Sequence, residues 1–198
     1  MANGRSFSLN AKPTDNPGTL IALDNPGSHW FQFEVEIQRY RNCPSGMNLR
    51  GIFFGWHRRA TDPHLRDPCL VIRLDETPAE NAPQGRLLLG TGHLETAVGM
   101  RAGLVSWMPD LPAGKNQIPL GEPTKGWHKV RVRVRDDHVT VTADERHSVD
   151  FAVQQIRDHL GNSGLGVDGR GILGVWAQNG VGFFRNGSVT VLPGAAPR

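Results

Sequence analysis

Apolar and polar residues alternate with a period of two over residues 31–37: Phe31, Phe33, Val35 and Ile37 fall on one face, and Gln32, Glu34 and Glu36 on the other. That repeat predicts a half-buried β-strand. Residues 51–57 (GIFFGWH) and 69–74 (CLVIRL) are instead nearly continuous apolar runs, separated by the charged stretch HRRATDPHLRDP. Runs of this kind suit strands in the middle of a sheet, covered on both sides. A shorter strand is predicted over 19–23, closed by the turn Asn25-Pro26-Gly27, and a weaker one over 86–89. Residues 95–123 read as a long loop with one or two short strands, holding Trp107 and a cluster of prolines and glycines.

The best-determined unit is a hairpin over 127–144. A two-residue turn at Asp136-Asp137 sets Val134 against Val139, Val132 against Val141 and Val130 against Ala143. On the other face Arg133 meets Thr140, Arg131 meets Thr142, and Lys129 meets Asp144 as an opposite-charge pair. A slip of one residue destroys every match, so the register is strongly specified. A second hairpin is predicted across Asn179-Gly180, with Trp176 facing Phe183 and Val175 facing Phe184, followed by a last strand over 189–192. Residues 149–160 are the one helical candidate, with Phe151, Val153, Ile156 and Leu160 apolar and Gly161 as a stop. The expected architecture is an all-β sandwich of two antiparallel sheets with at most one short helix.

Composition agrees: 24 Gly and 14 Pro in 198 residues favour many short strands joined by tight turns. The length fits one sandwich domain over 1–198, with a polar segment 1–18 and a low-complexity tail 193–198, and no internal repeat. The formal charge of +3 is spread along the chain and lacks the concentrated basic face of a nucleic-acid binder. No apolar run approaches the length of a membrane-spanning helix. The start, MANGRSFSLN, lacks the pattern of a secretory signal. The chain as given is therefore expected to be cytoplasmic, or a domain of a larger protein. Cys43 and Cys69 could pair across two strands or remain two thiols.

The carboxyl-terminal pattern resembles a known family. A hairpin begun by Trp127-His128-Lys129-Val130 precedes a Gly-rich strand, Gly171-Ile172-Leu173-Gly174-Val175, then Gly182-Phe183-Phe184-Arg185-Asn186 and Val189-Thr190-Val191-Leu192. With the early strands at Phe31–Ile37 and Gly51–Phe54, this is similar to the concanavalin-like (laminin-G-like) jelly roll of the bacterial 3-keto-disaccharide hydrolase family, over about two-thirds of the chain. The resemblance implies a concanavalin-like jelly-roll sandwich. It implies activity less directly, because the family's Glu-x-Gln pair before an Asp is matched here only at Asp75, with Leu70 and Ile72 in the other two places.

Candidate chemistry follows from the needs of sugar recognition: flat aromatic surfaces for pyranose rings and planar polar groups for hydroxyls. Trp56 and Trp107 border polar loops and are the aromatic candidates, whereas Trp127 and Trp176 are expected to pack in the core. Arg131 and Arg133, beside Lys129 and Arg135, form a basic stripe that could hold an acidic group, or could be a solvated face. As catalytic candidates Asp75 and His57 stand first, with His93 and Glu95 behind them, and Arg73 could polarise a carbonyl. His57, His64 and Asp67 match no compact metal signature, and no calcium-type loop occurs, so no metal or cofactor is expected. The leading expectation is a non-catalytic recognition module for a glycan or a protein surface. A divergent glycoside-processing enzyme and a self-assembling structural domain, partnered by copies of itself or by a parent protein, are the alternatives.

Overall fold

The computed structural model describes residues 7–11, 18–27, 30–38, 49–56, 67–76, 84–95, 103–108, 117–135, 138–152, 154–155, 170–178 and 180–193. Thirteen strands form among them: β1 (Phe7–Ala11), β2 (Gly18–Asp24), β3 (Phe31–Gln38), β4 (Leu49–Trp56), β5 (Asp67–Asp75), β6 (Arg86–Glu95), β7 (Gly103–Met108), β8 (Gln117–Pro119), β9 (Trp127–Arg135), β10 (His138–Ala143), β11 (His147–Ala152), β12 (Ile172–Gln178) and β13 (Gly180–Val191). They build two antiparallel sheets. The six-stranded sheet runs β1-β13-β3-β9-β10-β11, and the seven-stranded sheet runs β5-β4-β12-β2-β7-β6-β8 with a further β5–β6 pairing.

The six-stranded sheet is apolar on one face only. Phe31, Phe33, Val35 and Ile37 of β3, the valines of β9 and β10, and Phe184 of β13 are buried against Ile52, Phe54, Leu70, Ile72, Leu87 and Val175 of the seven-stranded sheet. Each such side chain contributes roughly 1.5–3 kcal/mol by leaving water. The hairpin register is the expected one, Val134↔Val139, Val132↔Val141 and Val130↔Ala143.

The seven-stranded sheet is apolar on both faces. On the side away from the shared core, Phe53, Trp56, Cys69, Val71 and Trp176 form a second buried cluster, with Leu20, Leu49 and Ile172 packed against it. A bulge puts Trp56 there: Gly174 pairs with Phe53 and Ile172 with Trp56, so two residues of β4 oppose one of β12, and Gly55 takes φ +73°. The pairings explain how this face is covered. β6 pairs with β5 along one edge; along the other, Arg86–Leu88 pair with β8 and Thr91–Glu95 with β7. β7 in turn reaches β2 through Gly18↔Leu104 and Thr19↔Gly103. The hydrogen-bonded pairs thus close a circuit, β5–β4–β12–β2–β7–β6–β5. Because the shared core packs against a sheet outside the circuit, the second cluster faces its interior.

Several expectations are corrected. The hairpin across Asn179-Gly180 does not form: β12 lies in the seven-stranded sheet and β13 in the other. Val175 and Phe184 do meet the same core, but from opposite sheets, so the chain crosses between layers where a local turn was expected. Trp176 pairs with Gly51 and Leu20, and Phe183 with Ser8. The strands 182–184 and 189–192 are one strand, β13, interrupted by a register shift around Asn186 (φ +53°). The helical candidate 149–160 begins inside β11, where Val149 and Phe151 pair with Val141 and Val139. Gln154 and Gln155 are helical, and residues 156–160 lie outside the described residues. The polar segment 1–18 contains β1, whereas the two short strands within 95–123, β7 and β8, are as expected.

Lys129 and Asp144 are opposed, yet their side chains do not pair. Asp144 adopts φ +50° and turns its carboxylate onto the backbone, accepting from Lys129 N at 2.8 Å and Gly121 N at 3.0 Å. Its Oδ2 also lies 2.8 Å from Nδ1 of the fully buried His128. Lys129 Nζ turns to Glu145 instead, at 2.7 Å. Since Leu120 N donates to Gly85 O at 3.0 Å, the segment after β8 is pinned to both sheets. At the same end Arg50, almost fully buried, pairs with Glu76 and donates from Nε to Gln38 O at 3.2 Å. Asp144→Ala removes three partners at once and is expected to lower the unfolding free energy by about 2–4 kcal/mol. Urea denaturation checks this, and a loss below about 0.5 kcal/mol would show that the carboxylate does not hold the two sheets together.

Candidate functional site

The interior of the strand circuit is graded from polar to apolar along its axis, and register gives the rows. The outermost row joins Pro119, Arg86 and Asp75, continuing through Leu49 and Gln178. The next row is Leu88–Arg73–Gly51–Trp176–Leu20, and the one below it Gly90–Val71–Phe53–Gly174–Ala22. Strand alternation puts Arg73 and Asp75 on the face of Cys69 and Val71, because Leu70, Ile72 and Leu74 point to the shared core.

Planar polar groups of the two outer rows are joined by hydrogen bonds, with Gln117 placed beside Leu88 in the second row. Arg86 Nε lies 3.3 Å from Asp75 Oδ2, and Arg86 Nη1 donates to Gln117 Oε1 at 2.9 Å. Both members of the ion pair keep some solvent contact. Arg73 is half-buried; burial pushes its guanidinium pKa down, Asp75 opposes that shift, and the nearby Arg86 adds to it. Directly beneath the rim sits Trp176, only 1% exposed, and its indole Nε1 has no hydrogen-bond partner. An unmet buried N–H costs about 1–3 kcal/mol. Between Arg73 and Trp176 the row holds only Gly51, where a Cβ would lie 1.9 Å from the Ile72 carbonyl oxygen.

The structure brings three of the expected site residues to this face. Arg73 and Asp75 stand at its rim, and Trp56 lies deeper, buried, with its ring edge-on to Phe53 at 6.2 Å. Trp107 is in β7, paired with Gly92, which pairs with Cys69; its side chain lies outside the described residues. His57 and His64 are outside the described residues, as is Cys43, and so are the side chains of Asp67, His93 and Glu95. Among the described residues no group of three or more His, Cys, Asp or Glu could hold a metal ion.

Arg131 and Arg133 are on the outer face of the other sheet. Arg131 pairs with Glu34, and Arg133 Nη2 donates to Gln32 Oε1 at 2.9 Å. Arg135 lies 5.9 Å from the centre of the Trp30 ring and Arg185 lies 4.2 Å from that of Trp127. The stripe is thus one side of a cross-strand ladder. Three residues of the rim and floor were missed from sequence: Trp176, Arg86 and Gln117. The signal for Trp176 was its place in the run 172–177, where alternation sets it opposite to Val175 and away from the shared core.

The same ladder gives the protein an acid-sensitive element. Burial opposes ionisation of Glu36, but hydrogen bonds from Asn186 and Arg185 and the Arg185 charge outweigh it and hold the carboxyl below the ordinary glutamate range. A depressed folded-state pKa contributes stability above the unfolded value, and that contribution is lost as pH falls through the folded one. Glu36→Gln should therefore be less stable than the native chain at neutral pH, with the difference shrinking below about pH 5. Thermal melts across pH check this; a constant difference would mean that the charge of Glu36 contributes nothing.

No protein-family model matches the chain, and no curated protein matches it in sequence. Solved structures do match. The carbohydrate binding module CBM66 from Bacillus subtilis is similar over 96% of this chain and 96% of its own, with TM-score 0.50 and 11% identity. A 1,3-α-1,4-β-D-galactose-4-sulfate-3,6-anhydro-D-galactose 4 galactohydrolase is similar over 93% of this chain and 78% of its own, with TM-score 0.51 and 11% identity. At that identity the likeness is one of fold. The chain has a concanavalin-like jelly-roll fold of two antiparallel sheets.

Proposed function

We propose that this protein is a non-catalytic carbohydrate-recognition module whose site is the polar end of the strand circuit. The observation that carries the reading is the buried, unpartnered indole N–H of Trp176, set beneath a rim of Arg73, Asp75, Arg86 and Gln117. A ligand hydroxyl or other oxygen reaching Trp176 would satisfy that donor. The rim supplies a carboxylate, guanidinium groups and an amide, which match the donors and acceptors around a sugar ring. An apolar floor beneath a few convergent polar groups is the usual make-up of a small-ligand site. The two structural neighbours, a carbohydrate binding module and a galactohydrolase, support a sugar as ligand.

Recognition without chemistry is favoured by the charge pattern. Among the described side chains Asp75 is the one carboxylate on this face, and it is held by Arg86. Glu76 pairs with Arg50, which is almost fully buried. Two-carboxylate glycoside hydrolysis needs a raised-pKa acid beside a second, ionised group.

Titration of the whole chain with an oligosaccharide panel, followed by tryptophan fluorescence, tests the reading. A saturable change is expected with at least one ligand, weakened roughly tenfold or more by Arg86→Ala, because a charged hydrogen-bonding group is lost. Arg133→Ala, on the opposite sheet, should leave the affinity within about twofold. Silence across a broad panel, or loss with Arg133→Ala but not Arg86→Ala, would contradict it.

A further inference from the structure

On the reading that the circuit's polar end binds a sugar, the row beneath its rim specifies the kind of sugar. Trp176 and Arg73 both pair with Gly51, from opposite sides, so their backbones stand two strand spacings apart, about 10 Å. Gly51, itself buried, lies between them, and a Cβ there would meet the Ile72 carbonyl oxygen of the neighbouring strand. Both flanking groups are donors without acceptor capacity, an indole N–H and a guanidinium. Arg86, diagonal to Arg73 across β5 and β6, adds a second guanidinium, so the two guanidiniums outnumber the one carboxylate, Asp75, which lies 3.3 Å from Arg86 and also acts on Arg73.

A neutral hydroxyl can accept from one of these donors, but it also brings a proton that needs an acceptor. A carboxylate or a sulfate brings acceptor oxygens alone, and its hydrogen bonds to guanidinium are charge-assisted and roughly twice as strong as neutral ones. The half-buried setting of Arg73 increases the effect, because its guanidinium has given up part of its hydration. We propose that the group bound between Trp176 and Arg73 is an anion carried on a sugar, either the carboxylate of a uronate or the ester of a sulfated residue. Arg73 is then the specificity-determining residue, and Trp176 supplies a second donor from the opposite wall.

The test uses matched trisaccharides of several hexoses in neutral, uronate and sulfated forms, titrated calorimetrically into the full chain. At least one anionic form should bind tenfold or more tightly than its neutral counterpart, and the advantage should shrink between about 0.05 and 0.5 M salt. Preference for the uronate or for the sulfated arm identifies the source of the anion. Arg73→Gln should bring the anionic-to-neutral ratio close to one. Trp176→Phe keeps a ring and removes the N–H, so it should reduce the ratio several-fold; circular dichroism confirms that each variant is folded, and Arg73→Gln, at the rim, serves alone if the tryptophan variant is not. Neutral sugars binding as tightly as charged ones, or a ratio unmoved by Arg73→Gln, overturns the anion while leaving the carbohydrate reading intact. Failure of every trisaccharide to bind overturns both.

Discussion

Burying both faces of the seven-stranded sheet is the constraint on which the rest of this structure depends. One face is covered by the six-stranded sheet, as in any sandwich. The other carries Phe53, Val71 and Trp176, and no third layer is formed by the described strands. The sheet solves this by pairing with itself: β7 links β6 to β2, and the second apolar face becomes the inside of a closed circuit. Closure also removes two sheet edges that would otherwise present unpaired backbone. What remains open is an end, and there the side chains change from Val71 and Phe53 to Arg73, Asp75, Arg86 and Gln117.

The six-stranded sheet solves the opposite problem. Its outer face is mostly polar, with Trp127 beside Arg185, and its cations have cross-strand partners: Lys129 with Glu34 and Glu145, Arg131 with Glu34, Arg133 with Gln32, Arg185 with Glu36. Surface pairs of this kind add little stability each, typically below about 1 kcal/mol. Their effect is on specificity of fold: they discourage register slips and give the guanidinium groups of the stripe partners within the sheet. Function is left to the face where polar groups and an unmet donor border a buried aromatic.

Legibility in the sequence followed the range of the interactions. The β9–β10 register was readable because every match is cross-strand and close in sequence, down to Arg131 opposite Thr142. The nearly continuous apolar runs at 51–57 and 69–74 announced strands covered on both sides, and β4 and β5 are that. The Asn179-Gly180 signal was misleading because turn chemistry reports local reversal, whereas sheet membership is set by long-range pairing of β12 with β2 and β4. Trp176 packs in the core as expected, but beside Phe53, Trp56 and Val71 of the second cluster and not against Phe183. The Lys129–Asp144 charge match gave way because an aspartate at positive φ satisfies backbone N–H groups more cheaply than it holds a flexible lysine. Gln117 could not be placed from its neighbours at all, since its role arises from β8 pairing beside Arg86.

The most direct test of the central claim, that ligand reaches the indole of Trp176 at the polar end of the circuit, is an amide and indole ¹H–¹⁵N correlation spectrum with and without a saturating oligosaccharide. The five tryptophans give separable indole N–H signals, and Trp176→Phe assigns the one that matters. The account predicts that this signal moves downfield as its N–H gains an acceptor, while those of Trp30 and Trp127, on the other sheet, stay in place. A ligand that shifts Trp127 and leaves Trp176 unmoved would contradict it and transfer recognition to the opposite face of the molecule.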